Sequence, residues 1–179
     1  ELLSGLPDPL EATNELTSIA LHDSATNQYW VLVVDKEGGM KEKTTDKCIV
    51  LPFQDERDML MKYLELYEMI NPSIVTGWNI DFFDIPYLYF RMCNVIGEDY
   101  AKHLSPIGYV RETPWSQDTF VQIIGVESLD YMRLHRKYSW EDEISWKLDD
   151  IGEKYANLKK IEYSGNLDDL FRSDIDLFI

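Results

Sequence analysis

The chain has 179 residues, 45% of them hydrophobic and 13% aromatic, which is enough for one domain with a substantial core and too apolar for a disordered chain. Its 33 acidic residues against 17 basic ones leave a formal net charge of −16. That balance counts against a free-standing nucleic-acid binder, because such proteins gain affinity by neutralising phosphates with Lys and Arg. No apolar run reaches the ~18 residues that would argue for a membrane span.

In chain order, the opening Gly5-Leu6-Pro7-Asp8-Pro9 reads as a turn. Leu16 to His22 and Gln28 to Asp35 read as strands, joined as a hairpin through the polar stretch around Asn27. Glu37-Gly38-Gly39 is the next turn, and Cys48 to Leu51 is a short third strand. Asp55 to Ile70 is the clearest helix. Leu60, Tyr63, Leu64 and Tyr67 recur at i, i+3, i+4 and i+7, Asp55 or Gln54 caps the start, and Asn71-Pro72 stops the run. Ser73 to Gly77 reads as a buried strand, and Pro86 opens a second helix that ends near Ile96 and Gly97.

Phe120 to Leu129 is one β-rich run. Helices are expected over Asp130 to Tyr138, Ser145 to Tyr155 and Asn166 to Phe178. Strands first, then helices alternating with strands, predict an α/β fold around a mixed sheet. No repeat or linker divides the chain, so residues 1–179 are expected to form a single domain. Cys48 and Cys93 fit neither a zinc site nor a disulfide framework, which points to a reducing, cytoplasmic setting. His22, His103 and His135 are scattered and read as ordinary surface or core residues.

Ile74 to Tyr87 carries the most chemistry: a strand ending at Gly77, a loop with two carboxylates, then a helix. Ligands gather beyond the carboxyl ends of strands in α/β folds. Asp84 at a helix start would be held ionised by the dipole, a hard oxygen donor for Mg²⁺ or Mn²⁺. The plainer reading makes Asp84 a helix N-cap and Asn79 a turn residue. Asp81, on the opposite side by alternation, is read as solvated.

The run Asn79-Ile80-Asp81-Phe82-Phe83-Asp84 resembles the second exonuclease motif, Asn-x-x-x-Phe-Asp, of phage-type (T-even-like) family B DNA polymerases. PFQDERDMLMKYLELYEMINPSIVTGWN before it, and SPIGYV, IIGVESLDYMRLHRKY and SWKLDDIGEKY after it, resemble the flanking segments in the family's order. The resemblance implies an RNase H-like fold, a mixed β-sheet flanked by helices. It also implies hydrolysis of the 3′-terminal phosphodiester of DNA, with two divalent ions held by carboxylates of three motifs. On that resemblance Asp84 becomes a catalytic metal ligand, Asn79 a site-lining residue and Phe83 the loop's buried anchor. The implied partners are a single-stranded DNA 3′ end and the remaining polymerase domains, in the host-cell cytoplasm and with no membrane.

The departures from the family set further expectations. No Asp-x-Glu of the first motif precedes the turn at Pro7 to Pro9; Glu1 is the candidate for its Glu, one residue short in spacing. In the family the Tyr-Asn-x-x-Asp of the third motif should follow almost at once after a stretch like Asp176 to Ile179, so the 179 residues read as a partial exonuclease domain with little or no activity of its own. Where the family has a strand-separating hairpin, Gly108 to Ile123 reads as a compact polar turn region. There Trp115 is either a stacking residue for DNA or, more plainly, a clamp on its own loop. Arg111 and Arg133 are candidate phosphate contacts, set against the plain reading of solvated surface arginines. The alternative function is a non-catalytic, nuclease-like protein-interaction module; a DNA mimic rests on the charge alone.

Overall fold

The computed structural model describes residues 7–115, 118–140 and 142–161, together with 165, 169, 170 and 177. The chain falls into two compact units, Glu1–Leu134 and His135–Ile179. In the first, β1 (Ser18–Asp23) and β2 (Gln28–Val34) form the expected antiparallel hairpin, with Ser18 opposite Val33. β2 then pairs in parallel with β4 (Cys48–Phe53), and a two-residue strand that the sequence reading missed, β3 (Lys43–Thr44), borders β4 antiparallel. The order β1-β2-β4-β3 is a mixed sheet, and helices flank it. The α/β class expected from the sequence is therefore the fold observed, and the RNase H-like architecture goes with it.

Helix α1 (Glu56–Ile70) starts where Asp55 accepts a hydrogen bond from the Asp58 amide and ends at Asn71 in the left-handed conformation. Its predicted stripe, Leu60, Tyr63, Leu64 and Tyr67, is buried with Met59 and Leu66 in the core that also takes Leu32 and Val34 of β2. Each fully buried side chain of this size contributes roughly 1.5–3 kcal/mol. The stripe, more than helix propensity, therefore holds α1 in place.

Helix α2 (Asp84–Val95) begins two residues before Pro86, since proline is tolerated in a first turn where its missing N–H has no partner to lose. It buries Tyr89 and Met92 in the same core. On its other side Arg91 binds Glu56 of α1 through Nε at 2.7 Å and Nη2 at 2.5 Å, and donates from Nη1 to the carbonyls of Ala12 and Thr13. Tyr87 Oη donates to the Asn14 carbonyl, and Asn94 to that of Glu11. Glu56 itself accepts from the Leu16 amide. Segment 11–16 is thereby held to α1 and α2 by side chains, outside any sheet.

A short helix, α3 (Glu98–Ala101), and a 3-10 turn follow. Three sequence expectations are corrected on either side of them. β5 (Ile74–Gly77) is not a buried strand: Ile74 is 54% exposed, because the strand pairs with one neighbour at the surface. The run Phe120 to Leu129 splits into β7 (Asp118–Ile123) and β8 (Glu127–Asp130), with Gly125 in the left-handed region at the turn between them. Most consequentially, the compact polar turn over Gly108 to Ile123 is a true hairpin. β6 (Val110–Trp115) pairs antiparallel with β7, Val110 against Ile123, and Val110 and Val121 enter the core. Those two apolar residues, eleven apart, have a shared buried face only once the strands pair.

The second unit contains α4 from His135 onward (Tyr131–Tyr138 in full) and α5 (Leu148–Ala156). Glu143 is its hub, accepting from Tyr155 Oη at 2.5 Å and from Lys154, with His135 Nε2 at 3.2 Å. Those hydrogen bonds, Tyr155 foremost, hold its carboxyl down at about 2. The final helix expected over Asn166 to Phe178 lies outside the described residues for most of its length. No helix among the described residues is long and apolar enough to cross a membrane.

Candidate active site

The site is built on the edge where β5 and β8 end together. Their parallel pairing sets Gly77 beside Asp130, so the loop leaving β5 and the helix leaving β8 start side by side. The loop folds straight back: a Cβ on Gly77 would lie 2.4 Å from Ile80 Cγ2, closer than any real contact. Glycine is required there by space, and Ile80 turns inward to the core. Asn79 takes the left-handed conformation with φ 61°, one that asparagine tolerates better than most residues.

One carboxylate holds this loop in place. Asp130, 3% exposed, accepts from the amides of Asn79 at 3.0 Å and Asp81 at 3.3 Å. The same side chain accepts from Met132 at 2.9 Å and Arg133 at 3.4 Å, so it also caps α4. The sequence reading placed Asp130 in a helix and gave it no role. Its signal is an Asp closing a β-rich run just ahead of a helix, the ordinary cap pattern.

Asp81 corrects the sequence reading directly. It was expected to be solvated, yet it is 2% exposed. Its carboxylate accepts from Ser128 Oγ and from Arg133 Nη1, the latter at 2.6 Å. Both partners lie some fifty residues on in the chain, which is why alternation along the loop could not find them.

Asp84 is the first residue of α2 and is exposed. The plainer N-cap reading does not hold, since the cap position is Phe83 and carries no side-chain capping bond. Partial desolvation against the loop, with a smaller contribution from the Asp130 charge, raises the Asp84 pKa above its ordinary value; a hydrogen bond from its own amide opposes the shift. A carboxylate at a helix start, open to solvent and crowded by another, is placed to accept a hard cation. Phe83 is half-buried and stacks on Tyr87 with ring centroids 5.7 Å apart.

Asn79, Phe83 and Asp84 thus all lie on the connection between the end of β5 and the first turn of α2. Glu1 lies outside the described residues. Trp115 is described only through its backbone, which pairs with Asp118 in the hairpin. Among the described residues no three His, Cys, Asp or Glu side chains gather as a ligand set. The histidines have local partners: His22 stacks on Tyr29, and His103 pairs with Glu68 at 2.7 Å.

Comparison with known proteins bears on this geometry. A family model described as DNA polymerase family B, exonuclease domain, matches residues 17–151. The DNA-directed DNA polymerase of Escherichia phage RB69 is 31% identical over 200 residues, covering 98% of this chain. That of Enterobacteria phage T4 is 31% identical over 198 residues, covering 97%. DNA polymerase 1 of Sulfurisphaera ohwakuensis is 31% identical over 86 residues, 48% of the chain. The chain spans 22% of the length of either phage relative.

Proposed function

The chain belongs to the exonuclease domain of family B DNA polymerases, and from that premise we propose that it is the proofreading part of such an enzyme. On this reading it removes nucleotides from the 3′ end of single-stranded DNA, alongside the remaining polymerase domains and in the host-cell cytoplasm. The observation that carries it is Asp84, an exposed carboxylate with a raised pKa at the carboxyl edge of a parallel strand pair.

Asp84 fits one ligand position for Mg²⁺ or Mn²⁺, being a hard oxygen donor whose negative surroundings a cation would relieve. When bound, such ions stabilise charge on phosphodiester oxygens and make a coordinated water more acidic. The chain's own residues then divide the remaining work. Asp130 and Gly77 fix the loop so that Asp84 is held without reorganisation. Asn79 and Phe83 are the substrate-lining positions, and Trp115 on the hairpin is a stacking residue for the displaced strand. Glu1 is the candidate first-motif carboxylate. Two hard cations need several carboxylates, of which Asp84 and Glu1 would supply two at most, so the chain by itself is expected to digest DNA slowly or not at all.

Mn²⁺ titrated calorimetrically into the chain, and into its Asp84→Ala variant, tests the assignment. Nucleotide release from a 3′-labelled oligonucleotide is measured in parallel, in a polymerase that contains the chain. Binding and cleavage that both disappear with Asp84→Ala are expected. A folded chain that takes up no Mn²⁺, within a polymerase whose cleavage ignores the substitution, would instead favour a non-catalytic interaction module, the reading that a net charge of −16 supports.

A further inference from the structure

Arg133 is held in an unusual way for a surface arginine. Its Nη1 donates to Asp81 Oδ2 at 2.6 Å, yet the side chain remains 53% exposed while Asp81 is 2% exposed. The guanidinium carbon lies 5.9 Å from the Phe82 ring centroid and 6.0 Å from that of Phe120, and those rings meet edge to face at 6.5 Å. Each contact is within the range of a cation–π attraction. Among the described residues, Nε and Nη2 have no hydrogen-bond partner.

An arginine whose whole purpose was to neutralise Asp81 would set its planar fork against both carboxylate oxygens. Here Ser128 Oγ takes Oδ1 and Arg133 reaches Oδ2 with one N–H. The remaining donors are oriented by a buried anchor and two rings, with little side-chain entropy left to lose on binding an anion. Their position follows from the chain: Asp81 and Phe82 belong to the loop that ends in Asp84. In a chain with a net charge of −16, a cation of α4 fixed against that loop is where a phosphate meets attraction rather than repulsion.

We propose that Arg133 contacts a phosphate of the DNA strand presented to Asp84, using its free edge while Asp81, Phe82 and Phe120 hold the other. The inference rests on the nuclease reading above and adds a substrate contact to it. The Asp81 pair persists in the bound state, because the phosphate takes different N–H groups.

The test is fluorescence anisotropy of a 5′-labelled octathymidylate with the chain, titrated with salt in EDTA, and repeated with Mn²⁺ for the unsubstituted chain and Asp84→Ala. Arg133→Ala is expected to weaken binding about tenfold. It should also lower the slope of log K against log salt by about 0.7, the loss of one single-strand phosphate contact. Arg133→Lys, keeping the charge without the fork, falls between. Arg133→Ala strands a buried carboxylate, so the double variant Asp81→Asn/Arg133→Gln, which leaves no unpaired charge, decides the matter if the single one loses its near-ultraviolet dichroism. Unchanged affinity and slope in both variants overturns the Arg133 contact. If Mn²⁺ still strengthens binding except in Asp84→Ala, the nuclease reading survives that result. Should no form of the chain bind the oligonucleotide, with or without Mn²⁺, both readings fall.

Discussion

Replacing Asp130 measures how much of the site is held by a single side chain. Asp130→Ala removes the acceptor for four backbone amides, those of Asn79, Asp81, Met132 and Arg133. The last two amount to a helix cap, worth about 1 kcal/mol. The Asp81 amide is buried and would be left unpaired at about 1–3 kcal/mol, and the half-buried Asn79 amide adds a smaller amount. The expected loss is therefore about 3–4 kcal/mol, or roughly 10 °C in Tm for a chain of this size. Asp130→Asn separates the parts, because Oδ1 serves Asn79, Met132 and Arg133 while Oδ2 serves Asp81 alone, at 3.3 Å. With its carbonyl in the Oδ1 place, Asn should cost only about 1 kcal/mol. Urea denaturation gives the free energies, and hydrogen exchange at the Asn79 and Asp81 amides shows where they are lost. A cost below about 1 kcal/mol for Ala, or equal costs for Ala and Asn, would refute the assignment of Asp130 as the loop's anchor.

Three further outcomes are expected. Gly77→Ala drives a methyl to 2.4 Å from Ile80 Cγ2 and should destabilise the chain by about 1–3 kcal/mol; Gly77→Ala/Ile80→Ala should suffer less from the clash than the separate costs predict, which a double-mutant cycle reads. Arg91→Met leaves Glu56 buried without its cation and should cost about 3–5 kcal/mol by urea denaturation, whereas Glu56→Leu/Arg91→Met should cost less than Arg91→Met alone. For Asp84 the folded pKa is raised, so the folded state holds its proton to higher pH than the unfolded chain does. Stability falls as pH rises from the ordinary carboxyl value through the raised one, and the penalty persists above it. Asp84→Asn should therefore raise Tm slightly at neutral pH and leave it unchanged in acid, while added Mn²⁺ raises Tm for the unsubstituted chain alone.

Much of this molecule is written locally. The α1 stripe, its Asp55 cap and its Asn71 stop, the β1–β2 hairpin and the α2 stretch up to Ile96 all depend on residues a few positions apart. Periodicity and turn chemistry reach that far. The motif Asn79 to Asp84 is likewise a local string, and so was legible as a candidate site before any geometry was known.

What only the tertiary structure decided is everything that depends on β5 lying beside β8. That pairing joins residues about fifty apart, and no local pattern specifies it. It turns Asp130 from a helix residue into the loop's anchor and buries Asp81, which alternation placed in water. It also binds Arg133 to the loop that ends in Asp84. The hairpin from Val110 to Ile123 was missed for the same reason, since its strands share a buried face only after pairing. A polar side chain's exposure is set by which distant donors reach it. Asp81 is stable inside the fold because Ser128 and Arg133 arrive there, and the sequence around it says nothing of either.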